Sequence, residues 1–308
     1  MRYRFLKLVI IAVVVILIGV LKTRAQQDPV YTQYIYNMMT INPAYAGTQN
    51  FLHLNTLTRL QWVGMDGAPK TFSLGVHTPL NQRKVGVGLT VVSDEIGPIN
   101  NTHITVNYAY RITVFESLTL SMGIKGGITS YRADISDLTI IDQDDPNFIS
   151  DEKKIMPNLG VGFYLYNQKY FVGFSIPKLL ETSIDEEYAS SFKELRRHYY
   201  FVTGYNMEIT SNWMFKPTIY TRAVSGAPSS NDITLQFIYD QRFGFGAMYR
   251  IGDAIGAFID VQINNQLTMG YGYDFSTNSL LGVNSGTHEL MISYEFNNLK
   301  GKRPLITF

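Results

Sequence analysis

The chain has no cysteine. That excludes a disulfide framework, thiol catalysis and thiolate metal sites together. Charge is scarce too: 17% of residues are Asp, Glu, Lys or Arg, and the net charge of +1 leaves no basic excess for nucleic acid. Beyond residue 21 there is no long apolar run. Mean hydropathy is close to zero, which a bundle of membrane helices would far exceed. No HExxH, no closely spaced metal pair among His53, His77, His103, His198 and His288, and no G-x-S-x-G elbow is present.

What remains is rich in Tyr (21), Phe (18) and Gly (25), and it alternates. In Asn158 to Pro177, Leu159, Val161, Phe163 and Leu165 share one face of a period-2 pattern; Asn158, Gly160, Gly162, Tyr164 and Tyr166 share the other. After Asn167-Gln168-Lys169 the alternation restarts with Tyr170, Val172, Phe174 and Ile176, which predicts a hairpin. Each arm approaches the roughly 9–11 residues that a tilted strand needs to cross a bilayer. One greasy face and one small or polar face suit a wall between lipid and a polar lumen.

The same pattern recurs to give about 14 strands, beginning with Leu52, Leu54, Leu60 and Trp62 and ending with Leu290, Ile292, Tyr294 and Phe296. Pro217 is the weak spot, since it breaks a ladder and demands a bulge or an early strand end. Short connections (81–83, 113–117, 167–169, 210–212, 240–242, 264–266) alternate with longer ones (94–100, 132–155, 178–197, 223–232, 276–287). Outer-membrane barrels place short turns on the periplasmic side and long loops outside, so both chain ends fall on the periplasmic side. Tyr108, Tyr110, Tyr199 and Tyr205 are read as strand-end residues at headgroup level.

The fold class predicted is therefore all-β: a transmembrane, outer-membrane antiparallel barrel with a short N-terminal periplasmic helix or segment. At the start, Arg2, Arg4 and Lys7 precede the apolar stretch Leu8 to Leu21 and then Lys22-Thr23-Arg24-Ala25. This reads as a signal peptide over 1–25; a retained anchor competes, because Lys22 and Arg24 lie unusually close to the cut. Residues 26–48 form a segment at the periplasmic mouth or in the lumen, 49–297 the barrel and 298–308 a tail. Asp28-Pro29 predicts a helix start, with Tyr31, Tyr34, Ile35, Met38 and Met39 on one stripe that packs on the barrel, ending at Asn42-Pro43.

The lumen face carries Arg59, Lys125, Lys216, Arg222, Arg242 and Arg250 against Asp240, Asp260, Asp274, Glu289 and Glu295. Mixed signs favour buried pairs or a plugged interior over a selective pore. His53, His77 and His103 can all face inward. Asp142, Asp144, Asp145, Asp151 and Glu152 make an acidic outer loop that lacks the glycine and terminal glutamate of an EF-hand. Ser183-x-x-Glu186 with Ile184, Tyr188, Phe192 and Leu195 predicts a small amphipathic helix that packs on its own barrel or meets a partner.

QQDPVYTQYIYNMMTINPAYAGT, RLQWVGMDGAPKTFSLGVHTPL, DEIGP, PNLGVGFYLY with FVGFSIPKLL, and GYGYDFS with SGTHELMISYEF together resemble the PorP/SprF family of the type IX secretion system of Bacteroidota. The tail from Asn297 to Phe308 matches least well. The resemblance implies an outer-membrane barrel that binds, helps export or anchors cargo such as gliding adhesins through their C-terminal sorting domain, together with other type IX secretion components. It supplies no catalytic motif: no catalytic, cofactor-binding or metal-ligating residue is assigned, no cofactor is expected, and the chain is read as non-enzymatic. An outer-membrane porin or hydrophobic-solute transporter is the alternative.

Overall fold

The computed structural model describes residues 29–115, 117–134, 151–183, 194–195, 197–224 and 227–296. The signal stretch, Asp28, Asp142, Asp144 and Asp145 of the acidic loop, the stretch from Ile184 to Phe192 for which a helix is predicted, and the tail lie outside them. Thr182–Ser183 and Glu194–Leu195 form a two-residue strand pair beside the barrel.

Fourteen antiparallel strands close into one barrel. They are β1 (Leu52–Leu60), β2 (Lys70–Leu80), β3 (Val85–Ile96), β4 (Ile99–Phe115), β5 (Leu118–Ala133), β6 (Glu152–Tyr166) and β7 (Tyr170–Ile176). The second half comprises β8 (His198–Tyr205, resuming as Met207–Glu208), β9 (Trp213–Val224), β10 (Ala227–Tyr239), β11 (Phe243–Arg250), β12 (Ala254–Gln262), β13 (Leu267–Ser276) and β14 (Thr287–Phe296). Closure is made by β1 on β14, with Leu52 opposite Phe296 and Leu60 opposite His288. Every wall strand thus has two neighbours, which removes the unpaired edges that lipid could not satisfy.

Period-2 alternation decides which side faces out. Ile104, Val106, Ile124, Leu159, Phe163, Phe174, Ile233, Leu235, Ile259 and Leu290 are exposed on the outer surface, while their neighbours Thr105, Lys125, Asn158, Tyr164, Ser175, Asp232, Thr234, Asp260 and Glu289 are buried within. An apolar exterior around a polar interior is stable only in lipid.

Several expectations need correction. The stretches 94–100 and 223–232 are not long loops: β3 and β4 run to a two-residue connection at Gly97-Pro98, and β9 and β10 leave only 225–226 between them. Gly97 has φ +55, which lets so tight a turn close. Asn, Thr and Ser continue the strands there because a wall rising beyond the lipid can be polar on both faces. Trp62 lies past the end of β1, at φ 51. Pro217 sits within β9 opposite Leu235, without a bulge. Its missing N–H coincides with the gap in β8 at Asn206, after which the register resumes unchanged with Met207 opposite Phe215.

The helix from Pro29 is also shorter than predicted. Helical turns begin only at Tyr34–Asn37, pass into an α-turn at Met38–Ile41 and end in a 3-10 turn at Pro43–Tyr45. The reason lies in the wall: the backbone N–H groups of Thr32 and Gln33 are drawn to Glu289.

Candidate functional site

The N-terminal segment fills the barrel. Tyr34, Ile35, Met38, Met39, Ile41, Ala44, Tyr45 and Ala46 are buried together with the inward-facing Leu57, Ala109, Tyr164, Phe171, Tyr200, Val202 and Tyr220. Burying each of Ile35, Met38, Met39 and Ile41 contributes roughly 1.5–3 kcal/mol. The apolar stripe seen in the sequence is therefore the core of a plug, with the barrel wall around it.

The segment enters at the end that carries the longer loops and leaves at the end that carries the tight turns. At the loop end, Glu289 accepts from both Thr32 N (2.9 Å) and Gln33 N (2.7 Å), and the Thr32 hydroxyl donates to Asp274 (2.5 Å). Arg59 binds the same three groups: Nη1 donates to Thr32 Oγ1 (2.8 Å) and Glu289 (3.1 Å), and Nη2 to Asp274 (2.8 Å). Arg250 approaches Asp274 at 3.9 Å and Asp232 at 3.1 Å, and Asp232 also binds Arg222 at 3.0 Å. Three guanidinium groups thus alternate with three carboxylates around the wall. Burying that many charges is expensive unless each is paired, and these are.

Further down, Tyr34 bonds through its hydroxyl to Thr218 (2.8 Å) and tilts onto Tyr220, ring centroids 4.8 Å apart. Asn37 donates to Ser73, and Asn55 donates to Tyr36 O. Ser175 donates to Ile41 O and Ser121 to Ala44 O. Asn42 accepts from Ala44 N, making the local turn, and donates to Phe163 O in the wall. At the tight-turn end Gly47 N donates to His77 Nδ1 (3.1 Å), and the Arg111 guanidinium donates to Gly47 O.

The wall leaves room for this segment by omitting side chains. A Cβ on Gly123 would strike the backbone of Pro43 and Ala44, one on Gly86 would strike Ala46, and one on Gly162 would strike Asn42. All three glycines fall on the lumen side of the alternation in β5, β3 and β6.

Among the described residues, small cavities remain beside the plug. One, of about 100 Å³, lies at the tight-turn end among Tyr36, His53, Lys216, Gln236, Asp260 and Glu295. Another, of about 60 Å³, lies towards the loop end beside Tyr31 and Ile41.

Of the luminal charges expected from the sequence, Arg59, Lys125, Lys216, Arg222, Arg250, Asp260, Asp274, Glu289 and Glu295 are inside the wall and buried. Asp240 and Arg242 instead occupy the turn after β10, half-buried and exposed respectively, because the alternation stops where the chain reverses. Asp232, which holds two arginines, falls in the 223–232 stretch expected to be loop but lies in β10; its place just before Ile233 in the alternation is the signal in the sequence. His53 and His77 are brought together, ring centroids 5.0 Å apart. His103 lies away from them, bonded to Thr129. Among the described residues no group of three or more His, Asp or Glu is placed to hold a metal.

A family model described as type IX secretion system membrane protein PorP/SprF matches residues 23–294. The chain belongs to the PorP/SprF family. One solved structure agrees with the barrel in fold, and others are similar. The CymD monoaromatic hydrocarbon channel is 12% identical, with a TM-score of 0.51 over 85% of this chain and 93% of that one. Omp33 of Acinetobacter baumannii is 10% identical (TM-score 0.48, covering 81% and 100%), and a FadL homologue of Pseudomonas aeruginosa is 11% identical (0.46, covering 89% and 96%). At 12% identity the likeness to CymD is one of fold alone. No curated protein matches. This PorP/SprF member is thus an outer-membrane β-barrel, with the tight turns assigned to the periplasm and the longer loops to the outside.

Proposed function

We propose that this PorP/SprF barrel is a non-enzymatic component of type IX secretion that binds, helps export or anchors a secreted cargo, such as a gliding adhesin, through the cargo's C-terminal sorting domain. Family membership supplies the secretion context. The observation that carries the reading beyond it is the filled lumen: a barrel whose interior is packed by its own chain from Tyr31 to Ala46 is suited to presenting a surface rather than to passing a solute. Apolar side chains also stand on the loops of the outer end, where Leu281 and Val283 are exposed near the Trp62 to Met65 turn, tied to it by Val63 N–Gly286 O and Ser285 N–Val63 O bonds. Exposed apolar groups rimmed by polar ones suit a protein partner.

The mature protein, on this reading, lacks its first 25 residues and works with other secretion components in the outer membrane of a Bacteroidota cell. Deleting the gene and following each adhesin-type cargo at the cell surface tests the proposal. Loss or release of at least one cargo, restored by the wild-type gene, is expected; normal display of every cargo contradicts it. Co-purification of the barrel with the cargo's C-terminal domain would add direct contact.

A further inference from the structure

The wall is not level at its outer end. β5 and β6 stay paired to the tip, where Ala133 lies opposite Glu152, and β4 keeps pace with Ile99 opposite Ala133. On the other side of β6, β7 stops at Ile176, opposite Val161. The register of β8, with Tyr200 opposite Ser175, brings its first residue, His198, only level with Pro177. Among the described residues, the stretch of β6 from Glu152 to Asn158 therefore has a neighbouring strand on one side alone.

One bond at the base of this notch orients the edge above it: Leu179 N donates to Leu159 O. Both main-chain groups of a strand residue point to one side and those of the next residue to the other. Pro157, Ile155 and Lys153 thus face the notch, while Asn158, Met156 and Lys154 bond β5. Pro157 has no N–H and sits where no ladder asks for one. Ile155 and Lys153 keep both groups. Their side chains point outward, with Ile155 70% exposed. Lys153, Arg132 and Asp134 put the tip above the hydrocarbon, in water. Tyr131, Ala133 and Met156 pack together with Ile99 inside the raised wall, which makes the edge rigid. Lysine and proline keep an open edge from pairing indiscriminately, so this one can stay open until a matching strand arrives.

We infer that this edge takes an added strand from a partner polypeptide outside the cell, laid in the track that β7 leaves and antiparallel to β6. The strand bonds the N–H and C=O groups of Ile155 and Lys153 and the Pro157 carbonyl. Donors and acceptors repeated at every second residue, about 7 Å apart, match an extended chain and no small ligand. Side chains then select among strands: an apolar residue fits beside Ile155 and an Asp or Glu beside Lys153. The inference rests on the cargo reading above for the source of the strand, the cargo's C-terminal domain, and names where on the barrel that domain docks.

Two measurements on the full-length mature barrel in detergent test this. Backbone amide exchange followed by NMR should show Ile155 and Lys153 exchanging ~10-fold or more faster than Lys154 and Met156, whose N–H groups bond β5. Equal protection of all four means that the edge is already covered, by this chain or by a second copy, and overturns the inference. Adding the purified C-terminal domain of an adhesin-type cargo should slow exchange at Ile155 and Lys153. Binding of that domain should weaken ~10-fold or more in Ile155→Pro, the equivalent of about 1.4 kcal/mol, because the substitution removes an edge N–H and leaves the β5 ladder intact. Ile155→Val keeps the N–H and should retain binding. Lys153→Pro serves as a second variant should Ile155→Pro fail to give a heat-modifiable, folded barrel. If no adhesin-type domain binds the wild type, the cargo reading and the inference fall together; binding that a folded proline variant leaves unchanged overturns the edge alone.

Discussion

Thr32 and Gln33, near the outer face, are held in the lumen by charge, whereas Ala44 to Gly47, near the periplasmic face, are held mainly by the space that wall glycines leave. The two anchors fail in different ways. A charged anchor tolerates small displacements, because Arg59, Asp274 and Glu289 can shift together, yet it is costly when one partner is lost. A clearance anchor depends on no single hydrogen bond, yet it has no give: close-packed backbone cannot move aside for a new side chain. The difference suggests that the periplasmic end fixes the depth of the plug, and that the outer end is where its grip can be adjusted.

Breaking the clearance anchor should have the largest effect. Gly123→Leu places a side chain where the Pro43 and Ala44 backbone runs, and because backbone cannot repack around it, accommodating it displaces the whole segment rather than one contact. Since the wall strand is held by ladders on both sides, the segment should yield before the barrel does. Because the chain has no native cysteine, Tyr36→Cys provides a single maleimide target on the plug. Labelling in the Gly123→Leu background should be much faster than in the otherwise wild-type barrel; unchanged labelling would mean that the segment stays in place.

Next in size is Arg59→Ala. It leaves Asp274 and Glu289 buried beside one another without their shared cation, a loss of about 3–5 kcal/mol by comparison with other broken buried pairs. Thermal unfolding of the detergent-solubilised barrel should register it as a clear drop in midpoint, and a shift smaller than that of a surface control such as Lys70→Ala would refute the charged anchor. Glu289→Gln is milder. It keeps an acceptor for the Thr32 or Gln33 N–H but removes the charge, at about 1.5–3 kcal/mol for the charged hydrogen bonds. Smallest is Tyr34→Phe, which removes the hydroxyl that bonds Thr218 and should cost about 1 kcal/mol. If Tyr34→Phe proved worse than Arg59→Ala in the same unfolding assay, the ranking of forces at the outer end would be wrong.

Much of the barrel was legible because one physical rule writes it. Lipid outside and polar lumen inside force period-2 alternation, so Leu159, Phe163 and Phe174 declare the wall without help from any partner. The rule says nothing about length once the wall leaves the lipid, and there pattern misleads: Asp94, Asn100, Ser229 and Ser230 look like loop but continue strands. The plug was legible only in part. Its stripe of Tyr34, Ile35, Met38 and Met39 announces an apolar surface, but not that Glu289, more than 250 residues away, would take its first backbone donors and shorten the helix. Nor does alternation distinguish Gly123, where the plug's backbone needs the space, from Gly244, also on the lumen face, whose nearest neighbours are atoms of the Asp260 side chain. That distinction comes from which segment lies against the wall, a long-range fact that local pattern does not hold.

Planar-bilayer recording is the most direct test of a lumen closed by its own chain. The purified wild-type barrel should insert without measurable ion current, and Gly123→Leu should open stable conducting steps in the same bilayer. Steady conductance from the wild type, at the level of an empty fourteen-stranded barrel and unaltered by the substitution, would contradict the account.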